Sequence, residues 1–335
     1  MGSEARVNTE PGTAQRGEWH VFSIPMTTGF RAITVREGML LKGPAGWGEF
    51  SPFLEYDARE AAPWLSCAVE AAVQGWPEPV RASIPVNVTV PAVAPEHAHR
   101  IARAGRGCRT AKVKVAEPGQ STSQDEARLE AVRDALGATG SIRIDANGGW
   151  PLEAAVTAIR VLDRAAGGLE YVEQPCATVE ELAAVRRKVN VPIAADESIR
   201  LAGDPYRVRE LEAADVAVLK VQPLGGVRAS LRIAEGLGLP VVVSSALETS
   251  VGIAAGVALA AALPELPYAC GLATVALLTD DVVHGPFVPV DGALTVVRPE
   301  VDPAALARVR PDEERVEHWS GRLVRTEALG QDQGA

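Results

Sequence analysis

Between Lys112 and Lys220, five short apolar segments each end in an ionisable residue. They are TAKVKV (Lys112, Lys114), SIRIDANGG (Asp145, Asn147), LEYVEQP (Glu173), VPIAADES (Asp196, Glu197) and ADVAVLKVQP (Lys220). The steps from Lys114 to Asp145, Glu173, Asp196 and Lys220 are 31, 28, 23 and 24 residues. A strand, a crossover helix and two loops occupy about 30 residues. One polar group therefore recurs at the C-terminal end of each successive parallel strand, the end at which a (β/α)8 barrel carries its active site.

The rest of the chain follows from that frame. Strands are predicted near residues 85–90, 111–115, 141–145, 169–173, 191–195, 215–220, 239–244 and 268–272, with helices between them. Capping boxes at Ser123-x-x-Glu126 and Thr178-x-x-Glu181 mark two helix starts. Gly137 and Gly236 or Gly238 mark helix ends. After the eighth strand GLATVALLTDDVVHGPFVPVDG reads as loop, so the expected architecture is a (β/α)7β TIM-type barrel over residues 84–290. Residues 19–83 read instead as strand, strand, turn and helix, an α+β capping domain, and residues 291–324 as a tail returning to it. Residues 1–18 and 325–335 are polar and expected to be disordered. Two stretches, 25–36 and 50–57, are candidate lids, in which Trp47, Phe50 and Phe53 either pack locally or cover the site against water.

The charge balance bounds the partners. A net charge of −10 without a basic stripe argues against a nucleic-acid surface. The four cysteines (67, 108, 176, 270) form no CxxC and read as reduced thiols, and the polar N-terminus has no apolar core of a secretory signal; both point to the cytoplasm. The most apolar run, residues 251–263, is too short to span a bilayer. Gly225-Gly226 follows the sixth strand and opens a helix, either as a tight turn or as an anion site.

Each acid alone reads as a solvated loop residue or a helix cap. Asp145, Glu173 and Asp196 in register after three consecutive strands read as a metal site. An all-oxygen set without His or Cys favours Mg2+ or Mn2+ over zinc. Lys112 and Lys114, two apart on a strand, share the interior face, and Lys220 stands across the barrel mouth. A lysine beside other cations has its pKa pushed down towards that of a usable base. The expected partner is thus a small-molecule carboxylate. The metal stabilises the enediolate formed when a lysine removes the α-proton. Elimination or racemisation can follow, and the residue types leave both open. A barrel that keeps the metal for stability alone is a third reading; oligomeric state is left open.

These residues resemble the enolase superfamily. K-x-K (112–114), D-A-N (145–147), E-Q-P (173–175), D-E-S (196–198) and Lys220 match its muconate-lactonizing subgroup motif by motif, over nearly the whole of residues 19–320. Within it, GWGEFSPFLEYD (46–57), FRAITVREG (30–38), SSALETSVG (244–252) and GLATVALL (271–278) are similar to the o-succinylbenzoate synthase family of menaquinone biosynthesis. The resemblance implies a Mg2+-dependent syn dehydration, with Lys114 as base and then acid, Lys220 as the opposing cation and Lys112 on the substrate carboxylate. It further implies Asp145, Glu173 and Asp196 as metal ligands. Ser244, Ser245 and Gly271 fall at the substrate's succinyl tail and Arg36 in a mobile first loop. N-succinylamino-acid racemase or dipeptide epimerase chemistry on the same scaffold is the alternative.

Overall fold

In this computed structural model, which describes residues 17–30 and 33–332, the chain opens with an antiparallel sheet. Its strands are β1 (Glu18–Phe30), β2 (Ile33–Gly43) and β3 (Gly46–Phe50), in that order. The first expected lid, residues 25–36, is therefore mostly strand; Arg31 and Ala32 lie outside the described residues. Asp57 then caps α1 (Ala58–Val69). Its carboxylate accepts the Glu60 N–H at 2.9 Å, and the Glu60 carboxylate accepts the Asp57 N–H at 2.9 Å. A π-turn over Glu70–Gln74 extends the helix, which stops at Gly75 (φ +72°).

The barrel follows β4 (Ser83–Pro85). Seven parallel strands lie side by side in chain order: β5 (Val88–Val90), β6 (Thr110–Lys114), β7 (Ser141–Asp145), β8 (Val172–Glu173), β9 (Ile193–Ala195), β10 (Val216–Leu219) and β11 (Val241–Val243). The eighth strand is reduced to two residues. Cys270 bridges Val86 and Gly271 bridges Ser244, both in parallel, and this closes the ring between β11 and the start of β5. The connecting helices are α2 (Pro95–Arg103), α3 (Thr122–Leu136), α4 (Leu152–Ala165), α5 (Val179–Arg186), the single turns α6 (Glu197–Arg200) and α7 (Arg207–Glu210), α8 (Val227–Leu237) and α9 (Ser250–Ala262). A 3-10 turn, Thr274–Leu277, stands where an eighth helix would be. β12 (Ala293–Thr295) pairs with β4, and α10 (Pro303–Arg308) and α11 (Glu313–Asp332) complete the chain.

Two local expectations need correction. The capping box of α3 is Ser121 with Gln124, not Ser123 with Glu126: the Gln124 side chain accepts the Ser121 N–H at 2.8 Å. Both pairs fit the pattern, but the earlier start lets Asp125 accept the Ala116 N–H at 3.0 Å. The polar end of the chain is helix up to Asp332 rather than disordered from 325. Trp319, Leu323 and Thr326, spaced four and three apart, form one buried stripe, and Trp319 and Leu323 join a core with Phe50 and Trp64. Likewise Glu18 is already strand; residues 1–16 and 333–335, also expected to be disordered, lie outside the described residues.

The apolar run expected not to span a bilayer forms α9, buried nearly throughout, and among the described residues no helix is long and apolar enough to cross a membrane. All four cysteines are buried and free. The Gly225-Gly226 turn does hold an anion, and the anion is internal. Glu70 of the capping domain accepts the N–H groups of Val227 (2.5 Å) and Arg228 (3.1 Å) at the start of α8. Gly226 has φ +113°, and a Cβ there would lie 2.1 Å from the Glu70 carboxylate, so only glycine fits.

Candidate active site

Strand register brings the ionisable groups to one level. Lys114 is the Cα partner of Asp145, Asp145 of Glu173, and Glu173 of Ala194, two residues before Asp196. The three carboxylates are fully buried; Lys112, Lys114 and Lys220 are nearly so. Lys112 Nζ lies 3.2 Å from Glu173 and 3.4 Å from Asp145. Lys114 Nζ donates to Asp145 (2.5 Å) and to Asn147 Oδ1 (2.6 Å). Lys220 Nζ donates to Asp196 (2.6 Å), whose other oxygen accepts Arg200 Nε at 2.9 Å.

The chain turns sharply after two of the acids. Asn147 and Gln174 both adopt the left-handed region, with φ +46° and +41°. Asn147 donates its N–H to Asp145 (3.0 Å) and its side-chain amide to Glu197 (3.1 Å). Gln174 accepts the N–H groups of Asp196 (3.0 Å) and Ser198 (3.2 Å) and donates to Ser198 Oγ (2.8 Å). It thereby fixes the end of β9 relative to β8. Gln174 and Arg200 escaped the sequence reading, although both lie inside or just after the quoted motifs.

The electrostatics divide the lysines. Burial opposes the charge on Lys112, but Glu173 and Asp145 outweigh it and hold the pKa above the usual lysine value. Lys114 moves the other way: burial, aided by the nearby Lys112 and Lys220, lowers its pKa despite Asp145. Burial would raise Asp145 and Asp196, yet Lys114 and Lys112 hold the first, and Arg200 and Lys220 the second, below the usual carboxylate range. Glu173 is pushed up to about 7 by burial and then by Asp145.

Phe53, Thr89, the three lysines, residues 244–247, Gly271 and Thr274 line a cavity of about 20 Å3. Ser244, Ser245 and Gly271 thus stand with the lysines, and Ser244 Oγ is 3.3 Å from Lys112 Nζ. Of the three aromatics, Phe53 reaches the cavity; Phe50 is core, and Trp47 packs against the separate cluster that contains Phe22 and Leu40. Arg36 does not reach it. It lies in β2, not in a loop, and its guanidinium is bonded to backbone behind the cavity wall. Thr89, whose buried hydroxyl has no hydrogen-bond partner among the described residues, is an unforeseen member of the wall.

Among the described residues no three Asp, Glu, His or Cys side chains form a ready-made metal cluster, because each carboxylate is drawn to an ammonium group. The donor set nevertheless suits a hard divalent ion: three buried carboxylates at the ends of adjacent strands, crowded enough to raise Glu173.

The family described as Enolase C-terminal domain-like matches residues 94–302, and the family described as Enolase N-terminal domain-like matches residues 21–72. The o-succinylbenzoate synthase of Thermobifida fusca is 66% identical over 307 residues, covering 92% of this chain and 95% of that protein. That of Mycolicibacterium smegmatis is 55% identical over 310 residues, with 92% and 95% covered. Among solved structures, muconate lactonizing enzyme from Pseudomonas fluorescens superposes with a TM-score of 0.77 at 23% identity, covering 89% of this chain and 99% of that one. The L-Ala-D/L-Glu epimerase from Bacillus subtilis gives 0.73 at 24% identity, covering 85% and 96%. At those identities the two structures speak for the fold alone.

Proposed function

The chain belongs to the enolase superfamily and, within it, to the o-succinylbenzoate synthases, so it is a hydro-lyase, and we propose that it acts in menaquinone biosynthesis with Mg2+ as cofactor. Its reaction is the syn dehydration of 2-succinyl-6-hydroxy-2,4-cyclohexadiene-1-carboxylate to 2-succinylbenzoate. The observation that carries this reading is the placement of the lysines. Lys112 and Lys114 lie on the second barrel strand and Lys220 directly follows the sixth, so they face one cavity from opposite walls.

Lys114, whose pKa burial lowers, takes the proton α to the substrate carboxylate. The C–H electron pair moves into the ring, and the hydroxyl on the adjacent carbon leaves as water with a proton returned by the Lys114 ammonium. One C–H and one C–O bond break, the ring becomes aromatic, and no oxidant is consumed. A single group serving both steps requires the proton and the hydroxyl to lie on one face. Lys220, on the other face, offsets the negative charge that develops. Lys112, held charged, binds the substrate carboxylate. Asp145, Glu173 and Asp196 would hold Mg2+, which supplies a Lewis acid that makes the α-proton more acidic. Phe53 and Leu247 keep bulk water from the cavity.

The test follows loss of the cyclohexadiene by its ultraviolet change, with Mg2+ and with EDTA, in the wild type and Lys114→Ala. Rapid Mg2+-dependent turnover is expected. It should fall at least ~10^4-fold in the variant, since base and acid roles each contribute about 10^2–10^4-fold. Near-normal turnover in Lys114→Ala would overturn the assignment. Deuterium entry at both faces of an N-succinylamino acid, without dehydration, would replace it with racemase chemistry.

A further inference from the structure

Behind the cavity wall lies a second buried polar network that the reaction above does not use. At its centre is Arg36, 3% exposed. Its Nε donates to Leu247 O (3.0 Å); Nη2 reaches Ala246 O (3.3 Å), Ser51 Oγ (3.0 Å) and Ser51 O; and Nη1 donates to Glu37 O (3.1 Å). The guanidinium also lies 4.9 Å from the Phe53 ring centre. One side chain of the capping domain thus grips two loops at once. One is its own Ser51–Phe53 segment, and the other is the barrel segment after β11. Those loops bring Phe53, Ala246 and Leu247 to the cavity.

The barrel loop needs such a grip. Leu247 has φ +66°, a conformation that costs a branched residue roughly 1–2 kcal/mol. Glu248 holds the loop from the other side by accepting the Ala246 N–H at 2.6 Å. Glu49 closes the circuit. It accepts Ser51 Oγ (2.7 Å), Thr249 Oγ1 (2.5 Å) and the N–H groups of Thr249 (3.2 Å) and Gly252 (3.0 Å) at the start of α9. Arg36 is the cation facing both buried carboxylates.

We propose that Arg36 is a positioning residue. Through its bonds to Ser51, Ala246 and Leu247 it sets the wall made by Phe53, Ala246 and Leu247, and so decides how tightly the substrate's non-reacting part is held. It touches neither the reacting atoms nor the lysines. Arg36 thus acts on the substrate through the two loops, where a contact from a mobile loop was expected. Only the kinetic half of the test rests on the dehydration reading.

The perturbations are Arg36→Met and Arg36→Lys, in the full chain. Arg36→Met should raise KM at least tenfold while kcat at saturation stays within about fivefold. Arg36→Lys should recover little, because an ammonium lacks the planar fork that reaches both loops. Hydrogen–deuterium exchange reads the same claim without any substrate. Peptides covering 51–56 and 245–249 should exchange faster in Arg36→Met, while those covering α3 to α5 keep wild-type rates. If Arg36→Met fails to fold, Ser51→Ala removes one arm of the grip and should show the same two signatures at smaller size. An unchanged KM in an active wild-type background, or exchange that is unchanged or raised uniformly, overturns the proposal. Inactivity of the wild type with the two loops selectively loosened in the variant would instead remove the dehydration reading and leave Arg36 as the brace.

Discussion

Glu248→Gln should stabilise this protein, slightly at pH 5 and most at neutral and alkaline pH. The Glu248 carboxyl is 3% exposed and faces Glu49 as well as Arg36. Burial, and then Glu49, push its pKa from 4.5 up to about 7. The folded state therefore favours the protonated form. That contribution is complete below the unfolded value and is lost as pH rises through the folded one. The interval from 4.5 to about 7, at about 1.4 kcal/mol per pH unit, amounts to roughly 3 kcal/mol forfeited above pH 7. Glutamine mimics the protonated acid at all pH values and keeps an oxygen for the Ala246 N–H. With an unfolding entropy of ~2.1 cal/mol/K per residue, 335 residues convert ~3 kcal/mol into about 4 °C. Scanning calorimetry should find the variant about 1 °C more stable than wild type at pH 5 and about 4 °C more stable at pH 8. An offset equal at the two pH values, or a variant less stable at pH 8, would refute the reasoning.

Asp196→Asn leaves Lys220 (2.6 Å) and Arg200 (2.9 Å) facing a neutral group in a buried site. Calorimetric titration should show Mg2+ affinity more than tenfold weaker, with a stability loss towards ~3 kcal/mol; an unchanged titration would remove Asp196 from the ligand set. Gly271→Ala places a Cβ 2.6 Å from Ser244 Oγ at the edge of the cavity. KM should rise about tenfold with a smaller effect on kcat, and an unchanged KM would show that substrate does not approach Gly271. Trp319→Ala empties a fully buried position that packs edge-on against Phe50 with ring centres 6.1 Å apart. Urea denaturation should register a loss of about 3–5 kcal/mol, whereas a loss below ~1 kcal/mol would mean that the tail is not part of the core.

The lysines and acids were legible in the chain because strand ends impose a spacing on them. A parallel ladder fixes which residue stands beside which, so Lys114, Asp145 and Glu173 fall on one level as soon as the three strands pair. The eighth strand was legible only in outline, since two bridging residues suffice to close a ring in which β8 is itself only two residues long. The C-terminal helix was missed because its buried stripe, Trp319, Leu323 and Thr326, holds only two apolar residues in a polar segment. Arg36 was placed in a loop for a different reason. The residues of RAITVREG read as strand, and only the resemblance put Arg36 in a mobile loop; what the segment does not show is that its partners lie 210 and 211 residues away.

That contrast has a physical origin. The lysines and acids belong to one repeating element, and their geometry is local to the barrel. The far wall of the cavity is built by two domains, and their fit rests on long-range pairs without a period. Two carboxylates of the capping domain end in barrel helix starts: Glu70 at α8, 157 residues away, and Glu49 at α9, 200 residues away. Each satisfies N–H groups that a helix start leaves unpaired, and each places a negative charge where the helix dipole favours it. The glycine pair before α8 left tight turn and anion site open, and it is both: a tight turn that seats a carboxylate from the other domain. A rigid seating of the cap follows, and with it the position of Phe53 over the lysines. Exchange of Glu49 for Gln should therefore loosen the residue 245–249 loop far more than strands β6 to β9, in the same hydrogen-exchange experiment that tests Arg36. Equal loosening of both would mean that the cap is seated by apolar packing alone.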